Sequence, residues 1–290
     1  MFVLQVLVNG LLLGGIYALI SVGLNLIFGV MKVKNLAHGD FLMVGMYMCF
    51  FFFTIWNIQP YFAIPIVFAT LFLLGMITHR LLIQPLLGGP NMQVNTIMVT
   101  AGLGLVLQNI ALMWWGADYR VVDAAFSGER FDIFGLMLGI NRSVAFIVVM
   151  IVAALMYFML MKTKVGRMIR AVMQDYEAAI LMGINEKKVY LFTFGLGIGL
   201  VGIAAGILSP IYYTFPQVGL WFGVIAFITV VIGGLGSFAG AFIGGLLIGV
   251  VQAGAGVIVA SELARAFAFI LFLIILFFKP EGLMGKIARV

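Results

Sequence analysis

Uncharged apolar stretches of about 17 to 25 residues recur along the whole chain, the length a helix needs to cross roughly 30 Å of hydrocarbon. Of the 290 residues, 64% are hydrophobic and 9% charged, against roughly 25% charged in an ordinary soluble domain. A soluble core has no use for so many such stretches. Backbone within lipid must satisfy its hydrogen bonds internally, and these runs lack the apolar–polar alternation of barrel strands. The fold class is therefore all-α: a polytopic helical membrane protein, read as one membrane domain over residues 1–290.

The predicted spans run near 4–30, 41–57, 61–79, 94–117, 143–161, 190–210, 222–236, 240–258 and 266–278. The last three are short or glycine-broken, so two of them are candidates for half-helices, and the count is eight or nine. The first stretch has no basic residue before it and no small-residue cleavage site, so it is read as a retained membrane helix. With nine crossings and the N-terminus outside, the inner connections hold twelve basic residues: Lys32, Lys34, Arg80, Lys162, Lys164, Arg167, Arg170, Lys187, Lys188, Lys279, Lys286 and Arg289. The outer ones hold four, Arg120, Arg130, Arg142 and Arg265, an asymmetry that satisfies the positive-inside rule. A 118–142 loop then lies outside, the 162–189 loop and the C-terminus in the cytoplasm.

The net charge of +6 sits in short connections rather than in a basic stripe with interleaved aromatics, so nucleic acid is not an expected partner. The single cysteine, Cys49, lies inside a span and is read as packing. A G-x-x-x-x-G-K-[ST] loop is absent, and Gly285-Lys286 has neither its spacing nor its hydroxyl, so the chain is not expected to hydrolyse ATP. Metalloprotease, His/Cys-cluster and G-x-S-x-G patterns are also missing. Neither an enzyme nor a cofactor site is expected.

Proton-coupled carriers and voltage sensors need ionisable groups at membrane depth. On the predicted boundaries no span centre carries one: His38 and Asp40 flank the second span, His79 and Arg80 end the third, and Glu262 and Arg265 occupy an outer turn. These read as anchors or local pairs. Neutral polar groups do occur at depth, among them Ser21, Thr100, Thr229 and Gln252, which either hold helices together or line a path. Asn9, Asn25, Gln108 and Asn109 are the pathway candidates. Glycines recur at four-residue spacing, as in Gly10/Gly14, Gly195/Gly199, Gly202/Gly206, Gly236/Gly240/Gly244 and Gly245/Gly249. Close helix packing is the favoured use, with sliding during a transport cycle the functional alternative.

Between Lys162 and Tyr190 the chain turns polar while Ile169, Val172, Met173, Tyr176, Ala179 and Ile180 keep three- and four-residue steps. That pattern predicts one cytoplasmic helix of about sixteen residues, roughly 24 Å long, with Gly183 as its left-handed cap. Its apolar stripe would meet a lipid interface or a groove in a partner. Acidic Asp175 and Glu177 in mid-helix favour a protein partner.

Glu177-Ala178-Ala179, followed after three residues by Gly183, resembles the E-A-A-x-x-x-G loop of ABC importer permeases, although the isoleucine and leucine-proline of one large importer class do not follow. Four further landmarks point to one branch: Asn35-Leu36-Ala37-His38-Gly39-Asp40, Gly166-Arg167 through Gly183-Ile184-Asn185, Gly233-Gly234-Leu235-Gly236-Ser237, and Lys279-Pro280-Glu281-Gly282-Leu283. Together they resemble a branched-chain amino acid ABC importer permease over residues 5 to 285.

The resemblance implies a bacterial inner-membrane location, leucine, isoleucine and valine as solutes, and alternating access. Its implied partners are a second homologous permease, two cytoplasmic ATP-binding subunits and a periplasmic solute-binding protein. It also implies ATPase-coupling roles for Arg167, Arg170, Asp175, Glu177, Ala178, Ala179 and Gly183. Permeases for urea, short amides or other amino acids share these landmarks; a passive channel would have no reason to carry a coupling helix. Asn35 is expected to cap the second span and Asp40 to complement its dipole. Because that turn is placed on the cytoplasmic side, gating or ATPase contact is the functional alternative for Asn35, His38 and Asp40.

Overall fold

A computed structural model describes residues 2–123, 128–133, 136–259 and 261–285. Lys286 and Arg289 lie outside them, and of Glu262 only the backbone is described. The helices are α1 (Phe2–Met31), α2 (His38–Trp56), α3 (Pro60–Thr78), α4 (Met92–Trp115), α5 (Ile140–Lys162), α6 (Lys164–Gln174), α7 (Tyr176–Leu181), α8 (Glu186–Leu208), α9 (Val218–Gly233), α10 (Phe238–Ile258) and α11 (Ser261–Phe278). The protein is a helical, multi-pass membrane protein, with seven helices long and apolar enough to cross a bilayer among the described residues. The apolar helices α9 and α11 are shorter. At 16 residues α9 extends only about 24 Å, which fits the half-helix reading of that region.

Close packing sets the arrangement. Helices α1 and α10 run antiparallel at backbone contact: a Cβ on Gly14 would stand 2.7 Å from Leu246 Cα, and one on Gly10 the same distance from Val250 Cα. Apolar surface gives helices little reason to associate in lipid, so such small-residue approaches supply the dispersion contacts that do. The Gly195–Gly206 face of α8 meets α3 in the same way, against Phe68, Phe72 and Val67.

The third span is longer than the sequence suggests. After α3 the chain continues as a π-turn, His79–Ile83, and a 3₁₀ turn, Gln84–Leu86. Pro85 has no N–H to continue an α-helical ladder, and the altered winding carries the helix on. His79 does not face outward as a surface anchor: it is fully buried beside Phe194, ring centroids 5.7 Å apart. The 118–142 region, read as a loop, contains an antiparallel hairpin of β1 (Arg130–Ile133) and β2 (Leu136–Gly139). Gln5 of α1 holds it in both directions, donating to Met137 O at 2.6 Å and accepting from Met137 N at 2.9 Å.

Two of the sequence landmarks meet. The tight turn 233–237 needs positive φ at Gly234 (102°) and Gly236 (87°), backbone that favours glycine. Against it runs the 279–283 segment, where Leu283 N donates to Ile232 O at 2.8 Å and the next residue, Met284, donates from its N to Gly233 O at 3.0 Å.

Candidate functional site

The turn after α1 decides where the polar groups go. Lys32 takes a left-handed conformation, φ 57°, and residues 33–37 then run back along α4, where Leu36 N donates to Thr100 Oγ1 at 3.2 Å. Helix α2 therefore begins inside the bundle. His38 Nε2 reaches Ile20 O at 2.9 Å. Ile20 lies eleven residues before the end of α1, or about 16 Å along its axis. Gln108 Nε2 donates to Asp40 Oδ1 at 2.8 Å, and a Cβ on Gly104 would collide with the other carboxylate oxygen. Gly104 and Gln108 stand twelve and sixteen residues past Met92, about 18 and 24 Å along α4.

This corrects the sequence reading in two ways. His38 and Asp40 do not flank a span at its interface; they sit near mid-length of α1 and α4, and Asp40 is 5% exposed. The cap of α2 is Ala37, with no side-chain capping bond, so Asn35 does not cap it. Instead Asn35 is 3% exposed and, among the described residues, neither its Nδ2 nor its Oδ1 has a hydrogen-bond partner.

Asn35, His38, Asp40 and Gln108 together line one side of a cavity of about 540 Å³. Its remaining wall is apolar, with Leu24, Leu105, Val224, Phe227 and Phe269 among the lining residues. Helix α9 enters here at close range, because Gly39 and Gly219 bring the first turns of α2 and α9 into backbone contact.

The other pathway candidates are dispersed. Asn25 is tied to the 233–237 turn. Asn9 lines a separate cavity of about 700 Å³ beside the hairpin, with Arg130, Asn141 and Arg142. Asn109 is exposed and donates to Leu105 O at 2.8 Å. Only Gln108 joins the Asn35–His38–Asp40 group.

The coupling segment is two helices rather than one. Asp175 breaks it with extended backbone, φ −152° and ψ 107°, and its carboxylate accepts from Ala178 N at 2.9 Å to cap α7. An aspartate offers the backbone this alternative to a continuous helix, and helical periodicity persists across the break, which is why it went unread. Gly183 does take φ +80°. The apolar stripe is divided: Ile169, Val172 and Ala179 are buried within the chain, while Tyr176 and Ile180 are 46% and 39% exposed and open to a partner. Arg167, Asp175, Glu177 and Ala178 are exposed, while Arg170 is half-buried with Nη1 2.7 Å from Met161 Sδ. The sequence reading missed Leu181 and Met182, which are 87% and 83% exposed at the end of α7; apolar residues beside a helix-ending glycine were the available signal.

Residues 6–276 match the family described as branched-chain amino acid transport system, permease component. Among curated proteins, the chain is 28% identical to the high-affinity branched-chain amino acid transport system permease protein BraD of Pseudomonas aeruginosa, covering 98% of this chain and 96% of that one. It is 27% identical to LivH of Escherichia coli K12, a permease of the same description, over 99% and 96%. A probable branched-chain amino acid transport permease of Methanocaldococcus jannaschii is 28% identical over 97% and 92%. No solved structure matches the chain.

Proposed function

Because the chain belongs to the family of branched-chain amino acid transport system permease components, we propose that it is the transmembrane subunit of an ATP-driven importer carrying leucine, isoleucine and valine across the inner membrane by alternating access. The observation that carries this reading is the end-to-end match to permeases of that description, 96% of BraD included. The chain acts as one permease domain and works with a second homologous permease, two cytoplasmic ATP-binding subunits and a periplasmic solute-binding protein. Its N-terminus faces the periplasm and its C-terminus the cytoplasm, supported by the twelve-to-four distribution of basic residues.

The α6–α7 pair is the coupling element. Exposed Glu177 and Ala178 with apolar Leu181 and Met182 give the ATP-binding subunits a surface to push, and the buried Ile169, Val172 and Ala179 transmit that motion to the bundle. A ligand-driven change of state requires such differential contacts. ATP hydrolysis is carried out by the separate ATP-binding subunits, and this chain is a non-catalytic membrane subunit. In whole cells, leucine accumulation that requires this gene and collapses when ATP is depleted with the proton gradient intact supports the importer. Accumulation that follows the proton gradient instead contradicts it.

A further inference from the structure

We infer that the 540 Å³ cavity at mid-bundle is a binding station for a zwitterionic amino acid, its ammonium on the Asp40 carboxylate and its aliphatic side chain against Phe227 and Phe269. The inference rests on the reading of the chain as an amino acid importer and says where within it the solute is held. The volume falls within the roughly 300–1,000 Å³ of small-molecule sites, and a few polar groups converge on an otherwise apolar wall, as such sites require.

Each polar group is left with capacity to spare. Asp40 Oδ1 takes the Gln108 amide, and no basic side chain pairs with Asp40 among the described residues. A buried carboxylate is costly without a counter-charge. The first turn of α2 offsets part of that cost through its dipole, and an arriving ammonium would offset more. The Ile20 carbonyl accepts from His38 Nε2, which leaves Nδ1 without a partner among the described residues and, in the neutral ring, a second acceptor for the ammonium. Asn35 supplies the opposite function: its unpartnered, buried Nδ2 is a donor for the carboxylate of the solute.

The charge pattern extends beyond the immediate group. Arg265 is half-buried with its guanidinium 4.2 Å from the Trp221 ring centroid. It lies one turn of α11 from Phe269, and the Trp221 it covers follows lining residue Leu220 in the chain. Helix N-termini that meet inside a membrane protein favour the anionic group of a solute, so the first turns of α2 and α9, in backbone contact at Gly39 and Gly219, add to the attraction for the solute's carboxylate. A neutral amide or urea would leave Asp40 without a counter-charge.

The test uses the importer assembled with its partner subunits in liposomes. Asp40→Asn keeps the shape and the acceptor for Gln108 but removes the charge. It should lower leucine uptake at least tenfold while the complex still assembles with its partner subunits at the wild-type yield. Uptake at the wild-type rate overturns the inference, and so does a loss of assembly yield that accounts for the loss of uptake, which marks a merely structural role. Independently, Val224→Cys in a Cys49→Ala background should react with N-ethylmaleimide at least threefold more slowly when leucine is present. If the wild-type complex accumulates no leucine, the solute reading fails by itself, and protection is then scanned over the other amino acids and urea. Protection by an amino acid upholds the station; protection by none, or equally by urea, sinks it, as would a partner helix filling the cavity.

Discussion

Asn25 of α1 grips Gly236 at the turn between α9 and α10: Gly236 N donates to Asn25 Oδ1 at 2.7 Å, and Asn25 Nδ2 donates onward to Ser237 O at 2.6 Å. One side chain thus satisfies a donor and an acceptor of a turn whose glycines cannot form a regular ladder.

Asn25→Leu should therefore destabilise the fold. Hydrogen bonds between membrane helices contribute about 0.6 to 1.7 kcal/mol each, so losing both costs about 1 to 3 kcal/mol. Unfolding of the purified protein by SDS titration at fixed lipid measures it. An unchanged midpoint would show that the turn holds itself.

The coupling surface predicts a different phenotype. Arg170→Glu with Glu177→Lys reverses charge on half-buried and exposed positions, where substitutions cost little stability. The double variant should insert and assemble with its partner permease yet lose most leucine uptake. A second variant, Leu181→Ser with Met182→Ser, removes exposed apolar area and should weaken capture of the ATP-binding subunits on co-purification. Wild-type uptake by both variants would remove α7 from the coupling role.

Much of this architecture was legible because lipid imposes a simple rule of length and apolarity: each of the nine predicted spans has a helix over it. Glycine spacing likewise read correctly as packing except at Gly236, whose φ of 87° places it in the turn before α10. What was not legible came from residues whose placement depends on tertiary partners. Asp40 looks interfacial in sequence since Lys32 and Lys34 precede it; only the return of residues 33–37 along Thr100 carries it to Gln108. Asn35 has the composition of a cap, but the helix begins too late to use it. Asp175 fits helical periodicity while its carboxylate starts a new helix. Of the four pathway candidates, polarity alone could not separate Gln108 from Asn25, which serves the turn, or from exposed Asn109.

Orientation is open to direct labelling. In a Cys49→Ala background, Glu129→Cys should react with an impermeant thiol reagent added outside intact cells, and Met182→Cys only after permeabilisation. Both positions are exposed and neither has a positive φ. The reverse pattern would invert the topology.

The most direct measurement is solute accumulation in liposomes containing this chain with its partner permease and ATP-binding subunits, ATP sealed on the side of the ATP-binding subunits and solute-binding protein on the other. The account predicts concentrative uptake of labelled leucine that requires hydrolysable ATP, is competed by isoleucine and valine, and is not competed by urea or acetamide. Uptake that only equilibrates, proceeds without ATP, or prefers urea would contradict it.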